Sequence, residues 1–131
     1  MDLPPAIAAA ILNEIDLDTA IAVHEGWKRQ LQNHLNGQPD DNFCQEIVCL
    51  DDQCDLGQWL HGPATERLGQ YPLFSVLIAR HKYFHEQAGT VLALAHAGKR
   101  EDALKVMEGG YRHASVQVIL QLKALKRGLR R

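Results

Sequence analysis

Residues 72–97 read PLFSVLIARHKYFHEQAGTVLALAHA, and this stretch decides the fold class. Its apolar residues recur at steps of three and four, as they do on one face of an α-helix. Pro72 stands in the first turn, where a helix tolerates proline, and Gly98 follows the last periodic residue. The stretch therefore predicts one long amphipathic helix.

Outward from this segment the pattern stays helical. Asp16 or Asp18 can cap a helix that runs to about Asn36, where Gly37 favours a stop. Asp51 and Asp52 can cap the short helix predicted over residues 54–60. The predicted helices besides 72–97 cover residues 5–14, about 18–36, 43–50, 54–60 and about 100–125.

Nothing in the chain alternates as a β-strand would, and short loops between long helices favour antiparallel neighbours. We therefore expect an all-α protein, a four-helix bundle with additional short helices. Residues 1–16 are expected to form an N-terminal helical extension, and residues 17–131 the bundle itself.

Composition limits the classes of function. The 131 residues are 46% hydrophobic and carry a formal net charge of −2, which gives no general attraction to nucleic acid or membrane. The opening Met1-Asp2-Leu3-Pro4-Pro5 lacks the basic and apolar regions of a secretory signal. We expect a cytoplasmic protein that binds neither nucleic acid nor membrane. Its three cysteines, an odd number, are expected to be thiols.

The strongest chemical motif is the pair His81 and His85 on the long helix. Residues four apart lie one turn apart on the same face, so both imidazoles can reach one metal ion. His24 occupies a core position in the apolar stripe of the long helix predicted over about residues 18–36. Three imidazoles from two facing helices make most of a tetrahedral zinc site.

Cys54 is the best candidate for the fourth ligand because it lies at a predicted helix start. A helix N-terminus lowers the pKa of a thiol and favours the thiolate, which is the form that binds zinc. Cys44 and Cys49 lie among apolar residues and are expected to behave as small core side chains. A closed site of three histidines and one cysteine leaves no position for a catalytic water, so we expect no enzyme.

These residues also form a family pattern, which resembles the chemoreceptor zinc-binding (CZB) domain over roughly residues 17–125. The pattern comprises His24, Trp27, Cys54-x-Leu56-Gly57-x-Trp59-Leu60 and His81-x-x-Phe84-His85. The resemblance implies a four-helix bundle, one zinc ion per protomer held by three histidines and one cysteine, and frequent homodimers. It also implies regulation of bacterial signalling, of the chemotaxis or cyclic-di-GMP type. The signal is zinc in some members, and oxidation of the zinc-bound cysteine by hypochlorous acid in others.

The sequence also leaves alternative functions open. Zinc could be purely structural, within an interaction domain. A hemerythrin-like di-iron protein would need bridging acids, and Glu25 and Glu86 are badly phased for that. A hydrolytic zinc enzyme would need an open site, and no HExxH motif occurs. Among the other histidines, His113 is the most plausible substitute ligand.

Overall fold

The structure is a computed structural model, and it describes residues 3–38 and 45–129. Over these residues the chain is helical, with no strand. The all-α class is therefore confirmed. The eight α-helices of this part are α1 (Pro5–Glu14), α2 (Leu17–Leu35), α3 (Gln45–Val48), α4 (Asp55–Leu60), α5 (Pro63–Leu68), α6 (Pro72–His96), α7 (Arg100–Val106) and α8 (Arg112–Leu129).

Three long helical segments pack against one another and form the core: α2, α6, and the run from α7 to α8. α3 lies on α6, and α1 contacts α5 and α8. Their shared interior holds apolar side chains such as Leu31, Phe84, Leu92, Val118 and Leu122, all fully buried. Short helices complete this three-segment core, and the finer expectation of four bundle helices stays a prediction.

The ends of α2 follow from local chemistry. The Asp16 side chain accepts a hydrogen bond from the Thr19 amide at 3.1 Å, as an N-cap residue does. After Leu35 the chain turns at Gly37, whose φ of +80° lies in the left-handed region that glycine adopts without strain. Both predicted boundaries are confirmed.

The C-terminal segment differs from its prediction as one helix. A π-helical turn, Met107–Tyr111, separates α7 from α8. Its Gly110 faces α6 so closely that an added Cβ would lie 2.1 Å from the Gln87 Oε1. Gly110 thus packs directly against the Gln87 side chain, a tertiary contact that hydrophobic periodicity does not reveal.

Two short helices remain, α1 and α5. α5 begins at Pro63, because proline suits the first helical turn, and no helix was predicted over residues 63–68. On α1, Ile11 is fully buried, whereas Leu12 is 60% exposed. The division at residue 16 stays a prediction.

Candidate metal centre

The four residues predicted as ligands lie together in the structure. His24 lies on α2, and His81 and His85 lie on α6. Cys54 is the residue that immediately precedes α4. One ligand atom from each lies within 4.8 Å of all the others. The three histidines are at most 1% exposed, and Cys54 is half-buried.

The spacing of these atoms suits a tetrahedral zinc ion. The Cys54 Sγ lies 3.9, 3.4 and 3.6 Å from the Nε2 atoms of His24, His81 and His85. The His81 Nε2 lies 3.3 Å from that of His24 and 2.9 Å from that of His85. Around a zinc ion, ideal bond lengths place sulfur and nitrogen about 3.6 Å apart and two nitrogens about 3.3 Å apart. The donor set therefore fits zinc in both chemistry and size.

Backbone carbonyls orient two of the imidazoles. The His24 Nδ1–H donates to the Ala20 carbonyl at 2.7 Å, and the His85 Nδ1–H donates to the Val48 carbonyl at 2.9 Å. With its proton on Nδ1, each ring presents the lone pair of Nε2 to the centre of the cluster. The Nδ1 of His81 is buried without a partner among the described residues, so packing holds that ring.

Cys54 is itself the N-cap of α4, where Asp51 and Asp52 were expected to serve. Its Sγ accepts a hydrogen bond from the Gly57 amide at 3.3 Å. The prediction of a helix start at this point is correct, and the identity of the cap was wrong. An N-cap side chain faces the helix amides, which also fixes the direction of the thiol.

Burial governs the protonation of the metal-free site. It lowers the pKa of His81 to about 2, with further help from His85 and His24. It also lowers the pKa of His85 to about 4, although the bond to Val48 opposes the shift, and it lowers the pKa of His24. The imidazoles are therefore neutral at neutral pH, as metal ligands must be.

The thiol behaves differently from the sequence-based expectation. Burial raises the pKa of Cys54, and the amide of Gly57 opposes this shift without overcoming it. The helix N-terminus was expected to lower that pKa, but desolvation of the charged form is the larger effect without a metal ion. The thiolate therefore needs a cation beside it.

Aromatic rings close one side of the cluster. Trp27 stacks on His24 with ring centroids 5.8 Å apart, and its edge-on contact with His85 is 4.8 Å. Phe84, fully buried, lies 5.2 Å from Trp27 and 5.3 Å from His24. Trp27 therefore closes this side of the core, and the position of its ring makes it a reporter of the site as well.

Two glycines allow the close approaches that the site requires. A Cβ on Gly89 of α6 would lie 2.7 Å from the Cβ of Cys49, so Gly89 lets the segment that carries Val48 reach His85. A Cβ on Gly57 would lie 1.7 Å from the Asp51 carbonyl oxygen. Only glycine therefore fits at either position without a movement of the backbone.

Sequence reasoning missed the partners that orient the ligands. The carbonyls of Ala20 and Val48 carry no signal in the sequence, because any residue offers a carbonyl. Sequence reasoning also did not predict the contact of His61, whose Nε2 lies 3.0 Å from the Asp51 carboxylate, across the segment that holds Cys54. His113 is exposed and does not belong to the four-residue cluster. Cys44 lies outside the described residues, and Cys49 is half-buried.

Together the fold and the site define a class, the all-helical domains with a metal centre of three histidines and one cysteine. The profile of the chemoreceptor zinc-binding domain matches residues 24–92, just over half of the chain and a span that contains all four ligand candidates. The chain therefore belongs to this zinc-binding domain family. Comparison with curated proteins and with solved structures found no match. Within the described residues, no helix combines the length and the apolar character needed to cross a membrane.

Proposed function

We propose that this chain is a zinc-binding regulatory module in which His24, Cys54, His81 and His85 hold one Zn²⁺. The observation that carries the proposal is the convergence of four ligand atoms, with five of their separations close to those around a tetrahedral zinc ion. Three neutral imidazoles and one thiolate leave a net charge of +1 at the centre. All four positions are filled by protein, so the module binds and responds to metal and catalyses no reaction.

A change at the site can reach the surface through the Cys54 segment. This segment joins α3 to α4. The Asp51 carboxylate and the His61 imidazole, 3.0 Å apart, contact each other across it. Loss of the bond between sulfur and metal would free this short segment, while the three imidazoles stay on α2 and α6. The signal is then either the zinc occupancy itself or the oxidation state of Cys54.

The oxidative branch has a defined chemistry. The Cys54 thiolate gives an electron pair to the chlorine of hypochlorous acid, so that an S–Cl bond forms while the O–Cl bond breaks and hydroxide leaves. Water then hydrolyses the S–Cl bond and gives the sulfenic acid, chloride and a proton. Sulfur loses two electrons and chlorine gains them. A sulfenate is a weaker zinc ligand than a thiolate, so oxidation favours release of the segment.

We infer that the output is a partner in bacterial signalling, of the chemotaxis or cyclic-di-GMP type, and that the module acts as a cytoplasmic homodimer. The family membership supports this inference. A purely structural zinc is the second candidate, favoured by the near-complete burial of the three imidazoles. A structural ion would stay bound, and the conformation around it would not change, over the range of conditions in which a sensor responds.

Treatment of the zinc-loaded protein with hypochlorous acid separates sensing from structure. We expect mass spectrometry to find Cys54 modified before Cys44 or Cys49, and hydrogen exchange to rise over residues 50–62. The Cys49→Ala variant is the matched control and should respond like the wild type. If Cys44 or Cys49 reacts first, or if Cys54→Ala keeps the response, the redox function is wrong. If neither the zinc content nor the oligomeric state changes with oxidant or with chelator, the result supports the structural role.

A further inference from the structure

The four ligand residues differ in their exposure to solvent. His24, His81 and His85 are at most 1% exposed, whereas Cys54 is half-buried. The solvent-accessible side of the cluster is therefore the side where Cys54 lies, while the ring of Phe84 packs 5.3 Å from that of His24 in the interior. Access to the site is asymmetric.

A cavity lies on this open side, with a volume of about 120 Å³. Its inner wall includes two ligands, His24 and Cys54, and its outer wall includes the exposed residues Asp16, Val23 and Asp55. A cavity needs only about 10–15 Å³ to hold a water molecule, so this space admits a small ion with part of its hydration shell. We call it the Cys54 cavity.

The outer wall of the Cys54 cavity carries negative charge. Asp55 is the neighbour of Cys54, and Asp16 lies at the start of α2. The nearby cation is Lys126, which forms an ion pair with Asp18 and also acts on Asp16. Because no cation is paired with Asp55 among the described ion pairs, its carboxylate supplies the local field that draws a divalent cation inward.

We propose that Zn²⁺ enters and leaves its site through the Cys54 cavity, and that Asp55 at the mouth speeds its capture. The proposal rests on the zinc-binding function proposed above and adds a route and a rate-controlling residue to it. Cys54 is then the first ligand an entering ion meets and the last it leaves. The histidines complete the coordination from within.

Blocking the cavity tests the route. Val23 is 47% exposed, so Val23→Trp adds bulk at the mouth without a change in the core, and Val76→Trp is the control at a comparably exposed helix position (39%). We expect Val23→Trp to slow both metal uptake and removal by a chelator by about tenfold, with equilibrium affinity unchanged. Cobalt(II) reports uptake in the stopped-flow instrument, because its absorption shows thiolate ligation directly.

Two results would overturn the route. Rates equal in Val23→Trp, Val76→Trp and the wild type would show that metal passes elsewhere. Slower uptake with unchanged release would mean a weakened site and not a blocked path. Failure of the wild-type protein to bind cobalt or zinc at all would refute the zinc site itself, and that result is distinct from both.

Charge at the mouth is tested with Asp55→Asn. Asp102→Asn is the matched control, because Asp102 is also an acidic residue in the first turn of a short helix. We expect Asp55→Asn to lower the rate of uptake roughly two- to tenfold at low ionic strength, and salt to reduce the difference. An uptake rate at low salt equal to that of Asp102→Asn would overturn the role given to Asp55.

Discussion

At the scale of single residues, the protonation of the ligands sets the cost of binding metal. The pKa of each imidazole is lowered by burial, so His24, His81 and His85 are neutral at neutral pH and need not lose a net proton when zinc binds. Cys54 is the exception because burial raises its pKa. One ligand of the four must therefore lose a proton as the metal binds.

This asymmetry predicts the pH dependence of zinc affinity. Between pH 6.5 and 8 the affinity should rise about tenfold per pH unit, because one thiol proton is released for each ion bound. Calorimetry in buffers of different ionisation enthalpy measures that proton count directly. A count near zero would mean that Cys54 is already a thiolate, and a count of two or more would mean that an imidazole is protonated.

The same lowered values predict how the metal-free protein responds to acid. His81 and His85 have pKa values of about 2 and about 4 in the folded state, against an ordinary histidine pKa of 6.5. Below pH 6.5 the unfolded chain binds protons that the folded chain excludes, so stability falls as the pH falls towards 4. Denaturant unfolding of the metal-free protein should show this loss. In a His81→Ala, His85→Ala double variant the loss should be smaller, and an equal loss would contradict the assignment.

At the scale of elements, the site depends on how closely α3 approaches α6. The Val48 carbonyl holds His85 only because Gly89 leaves room for Cys49. Gly89→Ala should therefore displace that segment and lower zinc affinity about 10- to 100-fold, the usual effect of losing a partner that orients a ligand. Competition with a chelator measures the change.

Gly26→Ala on α2 is the control for this substitution. A Cβ at Gly26 meets nothing within 4 Å, so alanine there should leave zinc affinity unchanged and raise helix stability slightly. If Gly89→Ala binds zinc as tightly as Gly26→Ala, the contact between α3 and α6 does not support the metal centre.

Local signals in the sequence predicted some of these helices and contacts and missed others. The spans of α1, α2 and α6 followed from caps, glycines and apolar periodicity, which are local signals. That His24, His81 and His85 face the candidate metal centre followed from the same periodicity, because a side chain on an apolar stripe points inward, whereas Cys54 followed from a predicted helix start. The π-turn and the contact between the Val48 carbonyl and His85 were not predicted, because local signals do not show which distant parts of the chain meet. α5 was missed although Pro63 in its first turn is a local signal.

At the scale of the whole molecule, exposed apolar side chains predict self-association. Val116 and Leu120 lie one turn apart on α8 and are 48% and 55% exposed. Light scattering at micromolar concentration should give twice the chain mass of 14.7 kDa. Leu120→Glu should shift the mass towards the monomer, whereas Val76→Glu, at a comparably exposed position outside this pair, should not. A mass near 14.7 kDa for the wild type would contradict the homodimer.

We propose that His24, Cys54, His81 and His85 together hold a single zinc ion. Elemental analysis of the purified protein, beside its His81→Ala and His113→Ala variants, tests that claim most directly. We predict about one zinc per chain in the wild type and in His113→Ala, whose exposed imidazole lies outside the cluster, and a marked loss in His81→Ala. Two iron atoms per chain, or full zinc content in His81→Ala, would contradict it.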